Sequence, residues 1–268
     1  MRLRSLAAVL AASALALTGC SGGTEAAADS TVRVGVTPQP HGEIMQYIKD
    51  NLAEQAGITI EIEQFSDYNR PNAAVAHGEL DANYYQHKPF LKKYKEERGG
   101  DNLVWVAPVH LEPLSLYSKK HSSLQEIPNG ATITIPNDPS NRARSLKLLA
   151  DKGLITLKPG AGQEATPRDI AENPKNLQFQ ELTASQIPRT LQDAAAAVVN
   201  GNYALKADLD KPIAVESPKN NPYVNGLVTT SAKKDDPEVA KLAELLTSQQ
   251  VADFIERQYG GQAVIPAS

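Results

Sequence analysis

The sequence predicts an α/β fold with two lobes, and three observations lead to this prediction. Segments in which apolar and polar residues alternate are typical of strands, and most are followed by a segment with the helical spacing of apolar residues. Strands that alternate with helices indicate parallel α/β sheets. The pattern restarts part-way along the chain, and the body from residue 31 to 268 is long enough for two modest domains.

The first block of this pattern contains three strands and their helices. Strands are predicted in TVRVGV, ITIEIEQF and LDANYY, and an extended segment in NLVWVAPVHLEP. A helix within PQPHGEIMQYIKDNLAEQAG has Ile44, Ile48 and Leu52 on one face and ends at Gly57. A short helix is expected to begin near Pro71, and another in KPFLKKYKEERGG stops at its glycines.

The second block repeats the alternation. Strands are predicted in LSLYS, ATITIP, LQFQEL, AAAAVVN and NGLVTT, a helix in SNRARSLKLLADKG, and a helix or turn in SQIPRTLQDA. Two C-terminal helices in DPEVAKLAELLTSQQVADFIERQYGG are expected to pack back on the first lobe. Crossovers near residues 109–113 and 222–226 then divide the chain into a first lobe (31–110 with 226–268) and a second lobe (111–225).

The N-terminus has the layout of a secretory signal peptide over residues 1–19. Arg2 and Arg4 precede an apolar run that is too short for a comfortable membrane span. The run ends in LTGC, which resembles the lipobox of bacterial lipoproteins, so the thiol of Cys20 is the expected site of lipid attachment, with palmitate among the acyl chains. Residues 20–30 are small and polar, typical of a flexible tether. The alternative is a chance cysteine behind a plain signal peptide.

The charge and the single cysteine limit the function classes. Without Arg2 and Arg4, 25 of the 27 basic residues remain against 31 acidic ones, so the formal net charge of the mature chain is −6. A mildly acidic body without a basic run argues against nucleic acid as a partner. With one cysteine there is no intramolecular disulfide, so packing must hold the fold.

Motifs of catalysis and cofactor binding are missing from the sequence. It contains no G-x-S-x-G elbow, no H-E-x-x-H and no glycine-rich nucleotide fingerprint, so we expect neither an enzyme nor a bound cofactor or metal. The five histidines are spread along the chain: His41, His77, His87, His110 and His121. Only the fold could bring them together, which leaves a zinc-binding lipoprotein as an alternative.

Polar and aromatic residues recur in the loops after the predicted strands, where α/β folds bind ligands. They are Tyr68, His87, Phe90, Asn137, Asp138, Ser140, Asn141, Arg142, Arg144, Asn200, Asn202, Tyr203, Asn221, Tyr223 and Asn225. This set suits a small polar molecule with an apolar part. Each residue has a plainer alternative: the Asn and Asp residues as caps or turns, the aromatics as core, His87 as a half-buried histidine, and Arg144 in a surface ion pair with Asp138 or Asp151.

Eight strings in order carry a family resemblance: VGVTPQPHGEI, FSDYNRPN, GELDANYYQHKPFL, LYSKK, IPNDPSNRARSLKLL, ENPKNL, IPRTLQDAAAAVVNGNYA and NPYVNGLV. With these, essentially the whole mature body resembles the methionine-binding lipoproteins of bacterial ABC importers (the NlpA-type family). The resemblance implies a type II periplasmic-binding-protein fold, with two α/β lobes and a hinge between them.

The resemblance also implies roles for matching residues. Tyr68, His87 and Phe90 match the pocket for the side chain of the ligand, and His41 is expected just behind the pocket. Phe90 stands where the family usually has Tyr, which keeps an aromatic wall but removes a hydroxyl.

The head group of the ligand has its own matching residues. Arg144 matches the arginine that binds the α-carboxylate, and a guanidinium can hold a carboxylate through two hydrogen bonds. Ala143 stands where Gly is usual, which leaves Arg142 as a competitor for this role. Asn202 and Asn225 match positions that hydrogen-bond the amino-acid head group.

The expected function is therefore capture and delivery, without chemistry. A lipid-anchored solute-binding protein on the extracytoplasmic face of the cell membrane would close its lobes on L-methionine or a close analogue. It would then dock on the permease of an ABC importer that has a separate ATPase subunit. The alternatives are the same role for a Met-containing dipeptide, another apolar amino acid or a sulfur compound, and a surface lipoprotein for adhesion or envelope structure.

Overall fold

The computed structural model describes residues 30–267, so the predicted signal peptide, Cys20 and nearly all of the predicted tether lie outside the described residues. The strands are β1 Thr31–Val36, β2 Thr59–Gln64, β3 Ala82–His87, β4 Leu103–Leu111, β5 Ser115–Tyr117, β6 Thr132–Pro136, β7 Thr156–Leu157, β8 Ile170–Glu172, β9 Gln178–Leu182, β10 Ala196–Val199, β11 Ala214–Val215, β12 Val224–Thr230 and β13 Ile265–Pro266. The helices are α1 Glu43–Asn51, α2 Ala53–Ala56, α3 Pro71–Ala76, α4 Lys88–Arg98, α5 Pro139–Asp151, α6 Ile187–Thr190, α7 Gly201–Lys206, α8 Pro237–Leu246 and α9 Gln249–Tyr259. Among residues 30–267, no helix has the length and apolar character needed to cross a membrane.

Six strands form the first sheet, in the order β13-β4-β12-β3-β1-β2. Strand β1 runs parallel to β2 and β3, whereas β12 runs antiparallel to β3 and β4. Val34, Tyr84 and Leu227 of this sheet are fully buried, and they share one core with Ile48 of α1 and Leu242 of α8. The C-terminal helices therefore pack on the first lobe, as the sequence predicts.

Five strands form the second sheet, in the order β11-β5-β10-β6-β9. Strand β6 runs parallel to β9 and β10, and β5 runs antiparallel to β10 and β11. Leu146 and Leu149 of α5 are fully buried in a separate core with Ile133 and Val198 of this sheet. Each lobe thus has its own hydrophobic core. Strands β7 and β8 pair with each other as a small ribbon.

Two segments of the chain connect the sheets. Strand β4 ends at Leu111 in the first sheet and β5 begins at Ser115 in the second, so the first crossover is short. The chain returns between Val215, the end of β11, and Val224, the start of β12. These segments lie at or beside the predicted crossovers, while the residue limits of the lobes stay predictions.

The two-lobed α/β architecture is confirmed, but the prediction of parallel sheets was wrong in part, because both sheets are mixed. Strands β5 and β12 enter their sheets directly from the other lobe, without the helical crossover that sets a strand parallel to its neighbour. The sequence pattern also missed α7 and the strands β7, β8, β11 and β13. These elements are too short to show a period.

Candidate functional site

A narrow cavity lies between the lobes, where small-molecule sites commonly occur, and it leaves about 20 Å³ for the centres of water-sized molecules. It lies at the carboxyl ends of β3, β6 and β10, where α4, α5 and α7 begin. Its walls are His41, Tyr68, Tyr85, Gln86, His87, Phe90, Glu112, Asn141, Arg144, Asn200, Gly201, Asn202 and Asn225. All six ligand residues implied by the resemblance line this one cavity, and their contact with a ligand stays a prediction.

Three aromatic rings form one wall of the cavity. The ring centroid of Phe90 lies 5.7 Å from that of Tyr68 and 5.9 Å from that of Tyr85, both in edge-to-face geometry. The Tyr68 hydroxyl donates a hydrogen bond to Asn202 Oδ1 over 2.6 Å, from the first lobe to the second. This wall offers aromatic surface to an apolar side chain and also holds the lobes together.

His87 links the lobes without adding a charge. Its Nδ1 accepts a hydrogen bond of 3.1 Å from the backbone amide of Phe90, which caps α4. The ring proton therefore lies on Nε2, which donates to Asn141 Oδ1 of the second lobe over 3.2 Å. Burial, together with the positive charge of Arg144, lowers the pKa of His87 to about 3, so the ring is neutral at pH 7.

Arg144 is the buried cation of the cavity, with 3% of its side chain exposed. Its Nε and Nη2 donate to the carboxylate of Glu216, with Nη2 only 2.6 Å from Oε2, and Nη2 also donates to the backbone oxygen of Glu112 over 2.8 Å. Its guanidinium carbon lies 4.3 Å from the ring centroid of Tyr223. Within residues 30–267, Nη1 has no hydrogen-bond partner, so it can donate to a ligand.

Arg142, the other arginine considered for binding the carboxylate, lies outside the cavity. Arg142 donates to Glu181 over 3.1 Å on the outside of the second lobe and is not part of the cavity wall. The surface ion pair considered for Arg144 is wrong, because Asp138 caps α5 and Asp151 binds Lys147.

Ala143 fits the structure at the position where the family usually has Gly. Its side chain is 1% exposed and packs in the core of the second lobe. Helix α5 therefore accommodates a β-carbon there.

Glu112 is a cavity residue that the sequence analysis missed, as it also missed Tyr85 and Gln86. It follows β4 in the first crossover, lines the cavity and is 4% exposed. Its Oε1 lies 2.8 Å from Nε2 of His110 and 3.4 Å from Nε2 of His41. Burial raises the pKa of Glu112. The string HLEP could have indicated this residue, because His110 and Glu112 are two apart. Residues two apart on an extended segment face the same side.

The two histidines beside Glu112 are neutral. Burial lowers the pKa of His41 to about 4 and that of His110 to about 3. The Nδ1 atoms face the hydroxyls of Thr37 and Tyr84, which leaves Nε2 of His110 to donate to Glu112 and Nε2 of His41 to donate to Asn225. Two histidines and a carboxylate within 4.8 Å are also donor types of zinc sites. Nε2 of His110 thus directs a proton, not a lone pair, at the carboxylate.

Three asparagines complete the polar side of the cavity. Asn141 Oδ1 accepts from Asn200 Nδ2 over 3.0 Å, and Asn225 Oδ1 accepts from His41 Nε2 at 3.4 Å. His41 therefore lines the cavity itself, in contrast to the expected place behind it. The side-chain oxygen of Asn200 is buried and has no hydrogen-bond partner among residues 30–267. An unpaired buried acceptor is costly, so it favours a ligand that donates an N–H or O–H.

Comparison with known families identifies the family of this chain. The sequence profile of the NlpA lipoprotein family matches residues 32–268. The chain belongs to this family. It is 39% identical to the methionine-binding lipoprotein MetQ of Bacillus subtilis, over 96% of the chain and 95% of that relative. It is 40% identical to the D-methionine-binding lipoprotein MetQ of Salmonella typhimurium, over 93% of each protein.

Solved structures of family members share the fold. A nutrient-binding protein of Burkholderia cenocepacia bound to methionine superposes with a TM-score of 0.85, at 41% identity over 88% of the chain and 100% of that protein. The methionine-binding protein MetQ superposes with a TM-score of 0.85, at 37% identity over 89% of the chain and 98% of that protein. The two-lobed architecture is thus common to the family.

The buried neutral histidines predict a loss of stability in mild acid. The unfolded chain binds protons to these rings near pH 6.5, whereas the folded protein binds them only near pH 3 to 4. Stability is therefore complete above pH 6.5 and falls as the pH drops, by up to about 1.4 kcal/mol per pH unit for each ring. Glu112, whose pKa is raised, acts in the opposite direction.

A single variant measures the contribution of the His87 ring to this pH dependence. In urea unfolding of the ligand-free protein, His87→Gln should reduce the slope of unfolding free energy between pH 6.5 and 5 by about 1 kcal/mol per pH unit. The exposed His77→Gln is the matched control and should keep the slope of the unaltered protein. An unchanged slope in His87→Gln would show that this ring takes up protons in the folded state.

Proposed function

We propose that this protein is a solute-binding lipoprotein that captures methionine between its lobes and delivers it to an ABC importer. One observation carries the proposal: a cavity between the lobes combines an arginine with a free donor, a buried carboxylate and an aromatic wall. A free amino acid with an apolar side chain has the complementary groups. The relatives named for methionine binding and the methionine-bound neighbour support this choice of ligand.

The carboxylate of the ligand is assigned to Arg144. Its Nη1 is free to donate, while its other nitrogens are held by Glu216 and by the backbone of Glu112. Hydrogen bonds from a charged donor to a carboxylate are the strong ones, and they gain strength in a cavity that excludes water. The side chain of Arg144 is buried, so few water molecules compete for it.

The ammonium of the ligand is assigned to Glu112, which answers a question that the sequence left open. The carboxylate is buried beside two neutral histidines, so neither ring neutralises it. A cation at this place would lower the pKa of Glu112 again and would pair a charge that is otherwise costly to bury. The unpaired oxygen of Asn200 is a further acceptor for the ammonium hydrogens.

The side chain of the ligand is assigned to the wall of Tyr68, Tyr85 and Phe90. A thioether is polarizable and packs favourably on the edges of aromatic rings. The hydroxyl of Tyr68 is already used on Asn202, so the wall presents mainly ring surface. Phe90 in place of Tyr makes it more apolar still.

We also propose how the protein is anchored to the membrane and how it delivers its ligand to the importer. Lipid attachment at Cys20 would tether the protein through residues 20–30 to the extracytoplasmic face of the cell membrane. Closure about the two crossovers would enclose the ligand, and the closed form would dock on the permease of an importer with its ATPase subunit. A neighbour from Coxiella burnetii is named as a periplasmic substrate-binding protein of an ABC transporter, which supports this role.

A pair of arginine variants tests the assignment of the carboxylate. In isothermal titration with L-methionine, Arg144→Ala should weaken binding by about 2–5 kcal/mol, because a buried charged partner is lost. Arg142→Ala, two residues away on the outside of the same lobe, is the matched control and should bind as the unaltered protein does. Equal affinities in the two variants would remove Arg144 from the site.

The assignment of the ammonium is tested with Glu112→Gln, which keeps the shape and removes the charge. The variant should bind L-methionine at least tenfold more weakly, which is about 1.4 kcal/mol or more. It should lose no affinity for the 2-hydroxy analogue of methionine, which has no ammonium. EDTA in both titrations keeps metal ions away from the histidine cluster. A similar loss for both ligands would contradict an ion pair with the ammonium.

A further inference from the structure

Glu216 holds Arg144 from the segment that returns from the second lobe to the first. It follows β11 directly and its side chain is 13% exposed. Its carboxylate accepts from Nε of Arg144 over 3.1 Å and from Nη2 over 2.6 Å. The same carboxylate also accepts from the backbone amide of Leu114 in the first crossover, over 3.1 Å. Glu216 therefore lies in the return segment and is bonded to the arginine and to the first crossover.

Contacts within the protein hold the guanidinium of Arg144 at Nε and Nη2, but not at Nη1. Glu216 holds Nε and Nη2, the backbone oxygen of Glu112 accepts a second hydrogen bond from Nη2, and the ring of Tyr223 packs on the guanidinium. An arginine side chain otherwise samples many rotamers, and freezing them on binding weakens affinity. Here contacts within the protein hold the rotamer, and Nη1 is left for a ligand.

We propose that Glu216 is a positioning residue for ligand recognition, which holds Arg144 so that its free Nη1 meets the carboxylate of the ligand. The proposal rests on the proposed function, in which Arg144 binds that carboxylate. It gives Glu216 a role without contact to the ligand, since Glu216 is not part of the cavity wall. It also places the carboxylate anchor between the two crossovers, about which the lobes would close.

A purely electrostatic role of Glu216 predicts the opposite effect. The carboxylate neutralises Arg144, so its removal would leave a stronger net positive charge in the cavity and would tighten the binding of an anionic group. Positioning predicts weaker binding, because a guanidinium without its partner must be ordered by the ligand. The sign of the change in affinity therefore separates the two roles.

The experiment compares Glu216→Gln with Glu181→Gln in the full mature chain. Glu181 binds Arg142 on the outside of the second lobe, so it matches Glu216 in charge and in partner without facing the cavity. Each protein is titrated with L-methionine and with L-methioninamide, which lacks the carboxylate. Melting curves of the ligand-free variants verify that both are folded.

The expected result is a specific loss for the ligand with a carboxylate. Glu216→Gln should bind L-methionine about tenfold more weakly and L-methioninamide with unchanged affinity, while Glu181→Gln should change neither. An unchanged or tighter affinity for methionine would overturn the positioning role, and so would an equal loss for both ligands, which marks a merely structural role.

The experiments distinguish a failure of the proposed function from a failure of the positioning role of Glu216. If the unaltered protein does not bind methionine, the proposed function falls and the role of Glu216 falls with it. If the unaltered protein binds methionine and Arg144→Ala abolishes binding, an unchanged Glu216→Gln overturns only the positioning role.

Discussion

Burial of charge in the cleft is the constraint on which the rest of the structure depends. Arg144 and Glu112 are 3% and 4% exposed, and a buried ion without a partner costs several kcal/mol. Arg144 is balanced by Glu216, and Glu112 is surrounded by hydrogen-bond donors that carry no charge. The cavity thus holds a carboxylate that a cationic ligand group can neutralise and an arginine donor that an anionic group can use.

Closure of the lobes creates this environment, and a few side chains maintain it. Tyr68 donates to Asn202, His87 donates to Asn141, and Tyr203 donates to the backbone oxygen of Ser66 over 3.2 Å. Each of these hydrogen bonds joins one lobe to the other around the cavity. Opening of the lobes would break them and bring water to the buried ions, so closure and ligand capture are expected to occur together.

The sequence predicted much of the fold because the long elements have a clear period. Strands such as β1 and helices such as α5 follow the apolar pattern, whereas β11 and β13 are two residues long and have none. The direction of β5 and β12 was predicted wrongly, because it depends on the path between the lobes. Pairing of strands that are distant in sequence cannot be read from local periodicity.

The candidate site was predicted in part for a similar reason. Residues such as His87 and Arg144 follow strands, where sequence reasoning directs attention, and they line the cavity together. Glu112 and Glu216 lie in the crossovers, and each becomes important only through partners from other elements. A carboxylate in a loop is normally solvated, so only the folded chain shows that these two are buried.

The most direct test of methionine capture is native mass spectrometry of the chain from residue 21 onward, purified without added ligand. We expect a bound species with the mass of methionine that is absent from Arg144→Ala and retained by Arg142→Ala. A different bound mass would keep a solute-binding protein but replace methionine as its ligand. An empty protein whose melting temperature does not rise with methionine would show that the protein does not capture methionine.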